Sequence, residues 1–210
     1  MNTTNILSIA EAVQALRQGQ VIIYPTETFY AIGGDAFHAE AVKSVFTIKQ
    51  RSAYFPLPLI VPHKEAVNTL AAFIPETAVR LMELFWPGPL TLLLPARQDV
   101  PSFIVSGSEY VAVRWSPHEV VQRLAEESGC VLTASSANIS GFPPASHPSD
   151  ISADLVAACA GIVVDQPFPQ GGAPSTVVRI ESVRGREKIA IRRAGAITKK
   201  QLADAGFTVL

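Results

Sequence analysis

A β-branched apolar run, Val21-Ile22-Ile23-Tyr24, is stopped by Pro25 and followed directly by Thr26-Glu27-Thr28. Such a run reads as a buried strand, and proline ends it because the ring removes a ladder donor. Gly33-Gly34 then permits a turn or a close backbone approach. Ala39 to Lys49 reads as a helix, with Val42, Val45, Phe46 and Ile48 forming its apolar stripe. Leu57 to Val61 is the next strand. Strand, helix and strand in immediate succession restrict the chain to an α/β arrangement, and ligands of such proteins gather at strand ends.

The remaining sequence repeats this alternation. Ser8 and Glu11 form a capping box that opens a helix to about Gln18, with Gly19 after it. Lys64 to Phe73 and Thr77 to Phe85 read as helices on either side of Pro75. Leu90 to Pro95 reads as a strand, Arg97 to Ser108 as a polar loop, and Val111 to Val113 as a short strand leading into Arg114. Ser116, Pro117 and Glu119 have the spacing of a second capping box, for a helix ending at Gly129. Val131 to Ser135 and Ile162 to Val164 read as strands, and Ser149 or Ser152 caps a helix between them. Ser175 to Ile180 and Lys188 to Arg192 form a hairpin through Arg184-Gly185, and Thr198 with Gln201 caps a last helix. The expectation is an open, twisted, mixed sheet with helices, in a single domain over residues 1–210. No internal repeat or long linker divides it.

Composition narrows the function. The chain has 210 residues, is 48% hydrophobic and carries a formal charge of −1, so a sizeable core is expected. The balanced charge argues against broad non-specific binding of nucleic acid, but not against a local basic cleft. Cys130 and Cys159 make neither a disulfide framework nor a metal motif, which suits a reducing cytoplasm. No signal peptide and no apolar run of membrane-spanning length is evident, so no membrane partner is expected. The dinucleotide-binding, Walker-type and nucleophile-elbow motifs are missing, and His38, His63, His118 and His147 lack metal-ligand spacing.

Several residues could carry chemistry. Lys49 and Arg51 after the helix suit an anionic ligand, or equally a solvated helix C-terminus where cations are favoured. Arg114 at a strand end could be an ion pair or a fork for a carboxylate. Ser135-Ser136-Ala137-Asn138 could hold phosphate or simply make a turn.

Taken in order, Tyr24-Pro25-Thr26-Glu27-Thr28 with Tyr30 to Ala36, Lys49-Gln50-Arg51, and Pro56 to Leu59 resemble the signature of the YrdC family of threonylcarbamoyl-adenylate synthases. Ala112-Val113-Arg114, Ser135 to Gly141, Pro174 to Val178 and Arg193 to Ile197 extend that resemblance over roughly residues 8 to 198. It implies an open twisted sheet with a cavity along one face. It also implies that L-threonine, bicarbonate and ATP are converted to threonylcarbamoyl-adenylate and pyrophosphate, for modification of the adenosine beside the anticodon of certain tRNAs. By resemblance, Thr28, Tyr30, Arg114 and Ser175 contact threonine. Lys49 and Arg51 are the catalytic pair on the ATP phosphates, and Ser136, Asn138 and Arg193 also meet the nucleotide. Arg192 is expected to point outward from its sheet.

Phosphoryl chemistry commonly uses Mg²⁺, so a divalent ion on the phosphates is expected, with no protein ligand to name. The tRNA itself and the downstream threonylcarbamoyl-transfer proteins are further candidate partners. The resemblance breaks at Phe55, where similar sequences usually carry Lys or Asn. Two other readings use the same residues: a module binding double-stranded RNA or tRNA without catalysis, and a carbamoyl-transfer module of the hydrogenase-maturation type. The accompanying zinc-finger cysteines of the latter are not in this sequence.

Overall fold

The protein is described from a computed structural model, over residues 5–50, 56–139 and 141–210. Arg51 and Phe55 lie outside the described residues. Helix α1 (Ile9–Arg17) opens as expected: Ser8 Oγ accepts from the Glu11 N–H at 3.3 Å while a Glu11 oxygen accepts from the Ser8 N–H at 2.8 Å. Strands β1 (Ile22–Pro25) and β2 (Tyr30–Gly33) follow as an antiparallel hairpin. The apolar run Tyr30 to Ile32 is therefore a strand that the glycine-turn reading passed over. Helix α2 (Ala39–Ile48) buries Val42 and Val45 and leaves Lys49 as its C-cap.

Further along are β3 (Pro58–Ile60), α3 (Glu76–Phe85), β4 (Leu90–Pro95), α4 (Ser102–Val105), β5 (Tyr110–Arg114) and α5 (Glu119–Ser128). Two very short strands, β6 (Leu132–Thr133) and β7 (Ser135–Ser136), precede α6 (Ala153–Ala157), and the hairpin β8 (Thr176–Val183) and β9 (Arg186–Arg193) leads to α7 (Lys199–Asp204). The larger sheet has six strands in the order β6-β3-β5-β4-β8-β9 and is mixed, with β3/β5 and β4/β8 parallel. The smaller has three, β1-β2-β7. Strand alternation gives the large sheet two unlike faces. Leu90, Leu92, Leu94, Val111, Val113 and Val178 point into a core with α3. Thr91 and Arg114 belong to the opposite face.

Five further expectations are corrected. The segment from Lys64 forms only a 3-10 helix, Lys64–Thr69. Beyond it the Ala72 N–H donates to the Pro95 carbonyl and the Arg97 N–H to the Leu70 carbonyl, both at 2.9 Å, so pairing with the end of β4 replaces the next helical turn. The loop from Arg97 to Ser108 contains α4, whose Ile104 and Val105 are buried. The Ser116 capping box does not form: His118 is the N-cap of α5, and Ser116 Oγ donates to a Glu27 carboxylate oxygen instead. The hydroxyl proton goes to that carboxylate, and the oxygen accepts from the His118 N–H at 3.3 Å.

Lastly, the run Val131 to Ser135 is two strands in two sheets. Thr133 pairs with Leu59 of the large sheet, and Ser135 with Ile32 of the small one. The backbone step at Ala134 carries the chain across. Ile162 makes isolated bridges to Ile6 and Ile23 in place of a full strand.

Candidate active site

The step between sheets leaves a cleft of ≈ 270 Å³. Thr28, Tyr30 and Ser136 line it from the small sheet and its turn, and Arg114, Ser175 and Arg193 from the large sheet. Six of the residues expected at a site, far apart in sequence, are thus brought together. Asn138 lines an adjoining pocket of ≈ 400 Å³ with Phe142 and Pro144, and Pro144 is common to both cavities.

Arg114 ends β5 with its side chain only 8% exposed. Its Nη1 donates to Glu27 Oε1 at 2.6 Å and, at 3.4 Å, to Thr28 Oγ1. The Nε and Nη2 groups donate to nothing among the described residues. One corner of this arginine is therefore an ion pair, and its side-on edge carries no bond among the described residues. Glu27 is held at its other oxygen by Ser116 Oγ, 2.5 Å away. The Thr26 hydroxyl bonds the Phe29 carbonyl at 2.8 Å and closes the turn that presents Glu27 and Thr28.

Ser175 is pinned from two sides. Its hydroxyl is 2.9 Å from Thr91 Oγ1 and accepts from Arg193 Nη2 at 2.9 Å, while its carbonyl accepts from the same nitrogen at 2.8 Å. Gly195 makes this crossing possible, because a Cβ there would stand 2.2 Å from the Pro174 carbonyl oxygen. Arg192 is directed outward, onto Glu181 at 2.6 Å.

Lys49 is only 3% exposed, so it is not a solvated helix end. Its ammonium donates to the carbonyls of Ser136 and Asn138 and, at 3.3 Å, to Asn138 Oδ1. It does not line the cleft; it holds the turn that does. Asn138 Nδ2 donates to the Ile139 and Phe142 carbonyls at 3.1 and 2.5 Å, so the turn is tied internally as well.

Tyr30 is fully buried, and its hydroxyl has no partner among the described residues. Loss of solvent, reinforced by the Asp165 carboxylate, pushes its pKa up to about 12, so it remains a donor at neutral pH. Among the described residues, no group of three or more His, Cys, Asp or Glu is placed to hold a metal.

The sequence reading gives no role to Glu27 or Thr91 and assigns Ser116 to a helix cap. A carboxylate between two threonines at a strand end signals a buried cation partner. A threonine inside the apolar run of β4 signals a second, polar face.

His118 belongs to the same network. Its Nε2 donates to the Pro167 carbonyl at 2.7 Å, and Nδ1 is buried without a partner among the described residues. Burial pulls its pKa below the usual 6.5, against the opposing pull of Pro167, Glu27 and Glu119. With the folded pKa depressed, stability from neutral His118 is present above pH 6.5 and lost as pH falls below it. Thermal melts between pH 7.5 and 5 should show the loss, with a slope of at most about 1.4 kcal/mol per pH unit from this group. His118→Gln should flatten that part of the profile. An unchanged profile would place the acid sensitivity elsewhere.

Comparison with known proteins agrees with the fold and the order of these elements. Residues 14–195 match the Sua5_yciO_yrdC family model, described as Telomere recombination. Threonylcarbamoyl-AMP synthase of Bacillus subtilis (strain 168) is 36% identical over 201 residues, covering 95% of this chain and 57% of the relative. The protein of the same name from Pyrococcus abyssi is 39% identical over 163 residues, with coverages of 78% and 48%. The chain thus spans about half the length of these curated relatives. The crystal structure of P. abyssi Sua5 complexed with L-threonine superposes with a TM-score of 0.86 at 31% identity, over 98% of this chain and 61% of that one.

Proposed function

This chain belongs to the Sua5/YciO/YrdC family, and from that premise we propose that it makes threonylcarbamoyl-AMP and pyrophosphate from L-threonine, bicarbonate and ATP. The observation that carries the reading is the cleft itself. One wall offers the Nε–Nη2 edge of Arg114 beside the Ser175 hydroxyl, and the other offers the Thr28 hydroxyl and Ser136 on the Lys49-braced turn. Arg114 takes the carboxylate of threonine side-on, and the Thr28, Ser175 and Tyr30 hydroxyls surround the rest of the amino acid. Ser136, Asn138 and Arg193 face the nucleotide. Lys49 and Arg51 are the cations for its phosphates, Lys49 by exchanging a carbonyl for a phosphate oxygen.

The threonine amine attacks the carbon of bicarbonate, and water leaves to give the carbamate. A carbamate oxygen then attacks the α-phosphorus, and the bond to the bridging oxygen breaks to release pyrophosphate. No protein nucleophile is needed. The chain's task is to align two anions and offset their charge. Mg²⁺, if carried in on ATP, would neutralise phosphate charge there; the nearest carboxylate in the turn, Glu27, already uses both oxygens. The product then suits transfer to tRNA by other proteins of the cytoplasm. No helix among the described residues is long and apolar enough to cross a membrane.

Incubation with ATP, threonine and ¹³C-bicarbonate should give a labelled threonylcarbamoyl-AMP by mass analysis, with pyrophosphate in equal amount. Threonine should raise the melting temperature more than valine at equal concentration, since a site that bonds a hydroxyl rejects the isostere lacking it. Hydrolysis of ATP without a threonine-dependent product, or equal shifts by both amino acids, would remove the reading.

A further inference from the structure

We propose that Glu27 is a positioning residue: it fixes the Arg114 guanidinium so that only the side-on Nε–Nη2 edge is presented to a ligand carboxylate. The inference rests on the reading of the cleft as an amino-acid site. A guanidinium has two edges that can bind a carboxylate bidentately, end-on through both Nη groups or side-on through Nε and one Nη. Glu27 Oε1 sits 2.6 Å from Nη1, and Thr28 Oγ1 is the second acceptor on that nitrogen. Both protons of Nη1 are thereby directed away from the ligand, and the end-on mode is closed. What remains is one edge in one plane.

The anchor is itself anchored. Glu27 Oε2 accepts from Ser116 Oγ at 2.5 Å, and Ser116 Oγ accepts from the His118 N–H at 3.3 Å at the start of α5. The Glu27 carbonyl accepts from the Gln170 N–H at 3.2 Å, and the Thr28 carbonyl from the Gly171 N–H at 2.9 Å. The carboxylate is 14% exposed and is not among the residues lining the cleft, so it meets the ligand only through Arg114. Its charge has a second effect. It offsets part of the arginine charge, so the site selects carboxylates by the fit of two parallel bonds more than by net attraction. This separates the arginine from the nearby phosphate binders, which need charge and tolerate varied geometry.

The test uses the whole chain with ¹⁵N-labelled arginine. The Arg114 signals are assigned by their loss in Arg114→Lys. A guanidinium bonded at Nη1 rotates slowly about its Cζ–N bonds, so wild type should give resolved Nη signals and Glu27→Gln should merge them. In parallel, calorimetry should find threonine binding weaker by about tenfold in Glu27→Gln, with ATP affinity changed by less than about twofold. Ser116→Ala, which removes only one bond from the anchor, should weaken threonine by about two- to threefold. In the Arg114→Lys background Glu27→Gln should add no further loss of threonine affinity, because the fork it positions is gone.

Merged Nη signals in wild type, or resolved signals that survive Glu27→Gln, would overturn the proposal. So would a loss of ATP affinity equal to that of threonine. If wild type binds no threonine while its Nη signals still depend on Glu27, the substrate assignment fails and the positioning stands.

Discussion

If the proposed function holds, Arg114→Ala should lower threonine affinity by about 2–5 kcal/mol, the scale for truncating one member of a desolvated charged pair, and should leave ATP binding nearly unchanged. Stability falls too. Removing the guanidinium strands the Glu27 carboxylate in a site where it is 14% exposed, with Ser116 as its remaining side-chain partner. An uncompensated buried charge costs about 3–5 kcal/mol. The two effects separate by a second substitution. Adding Glu27→Gln to Arg114→Ala removes the stranded charge and should recover part of the lost stability, whereas threonine affinity should not return. Intact threonine binding in the variant, measured by calorimetry, would make Arg114 purely an element of the fold.

Gly33→Ala should be the more damaging change to the fold. An added Cβ would stand 1.6 Å from the Thr133 carbonyl oxygen. That carbonyl cannot easily withdraw, since it accepts from the Tyr24 hydroxyl at 2.6 Å and the Thr133 N–H donates to the Gly34 carbonyl at 2.9 Å. Overpacking a core usually costs about 1–3 kcal/mol, and a backbone held on both sides puts this position at or above the top of that range. Gly34→Ala is the natural control, with its nearest contact at 3.0 Å to the Gln20 carbonyl oxygen. Urea unfolding should rank Gly33→Ala well below Gly34→Ala. Equal midpoints would mean that the two strands part more readily than their bonds indicate.

Much of this was legible in the sequence because the signals were local. Ser8 with Glu11, and Thr198 with Gln201, are capping boxes whose spacing alone defines them, and both form. The β8–β9 hairpin turns at Arg184-Gly185 as its composition required. Six of the residues that the resemblance names share one cleft. What escaped depended on distant partners. Ser116 has the right spacing for a cap, but a carboxylate 89 positions away takes its hydroxyl. Lys49 reads as a surface cation until the carbonyls of Ser136 and Asn138 are placed against it. The division of Val131 to Ser135 between two sheets is not a matter of propensity. It follows from which strands lie beside each half, β3 for Thr133 and β2 for Ser135.

That division at Ala134 has a mechanical consequence. The opposing walls of the cleft belong to different sheets, so an occupant bonded to both is a cross-brace between two plates. Its binding free energy resists their separation directly, and at 100 times its dissociation constant it would add about 2.7 kcal/mol to the work of prising them apart. Empty, the seam is held by the Ala134 step, by bonds such as Tyr24–Thr133, Thr133–Gly34 and Ala36–Val131, and by the Glu27–Arg114 pair. Amide exchange along β2 and β7 should therefore slow when ligand is added, while exchange in β8 and β9, already clamped within one plate, should change far less.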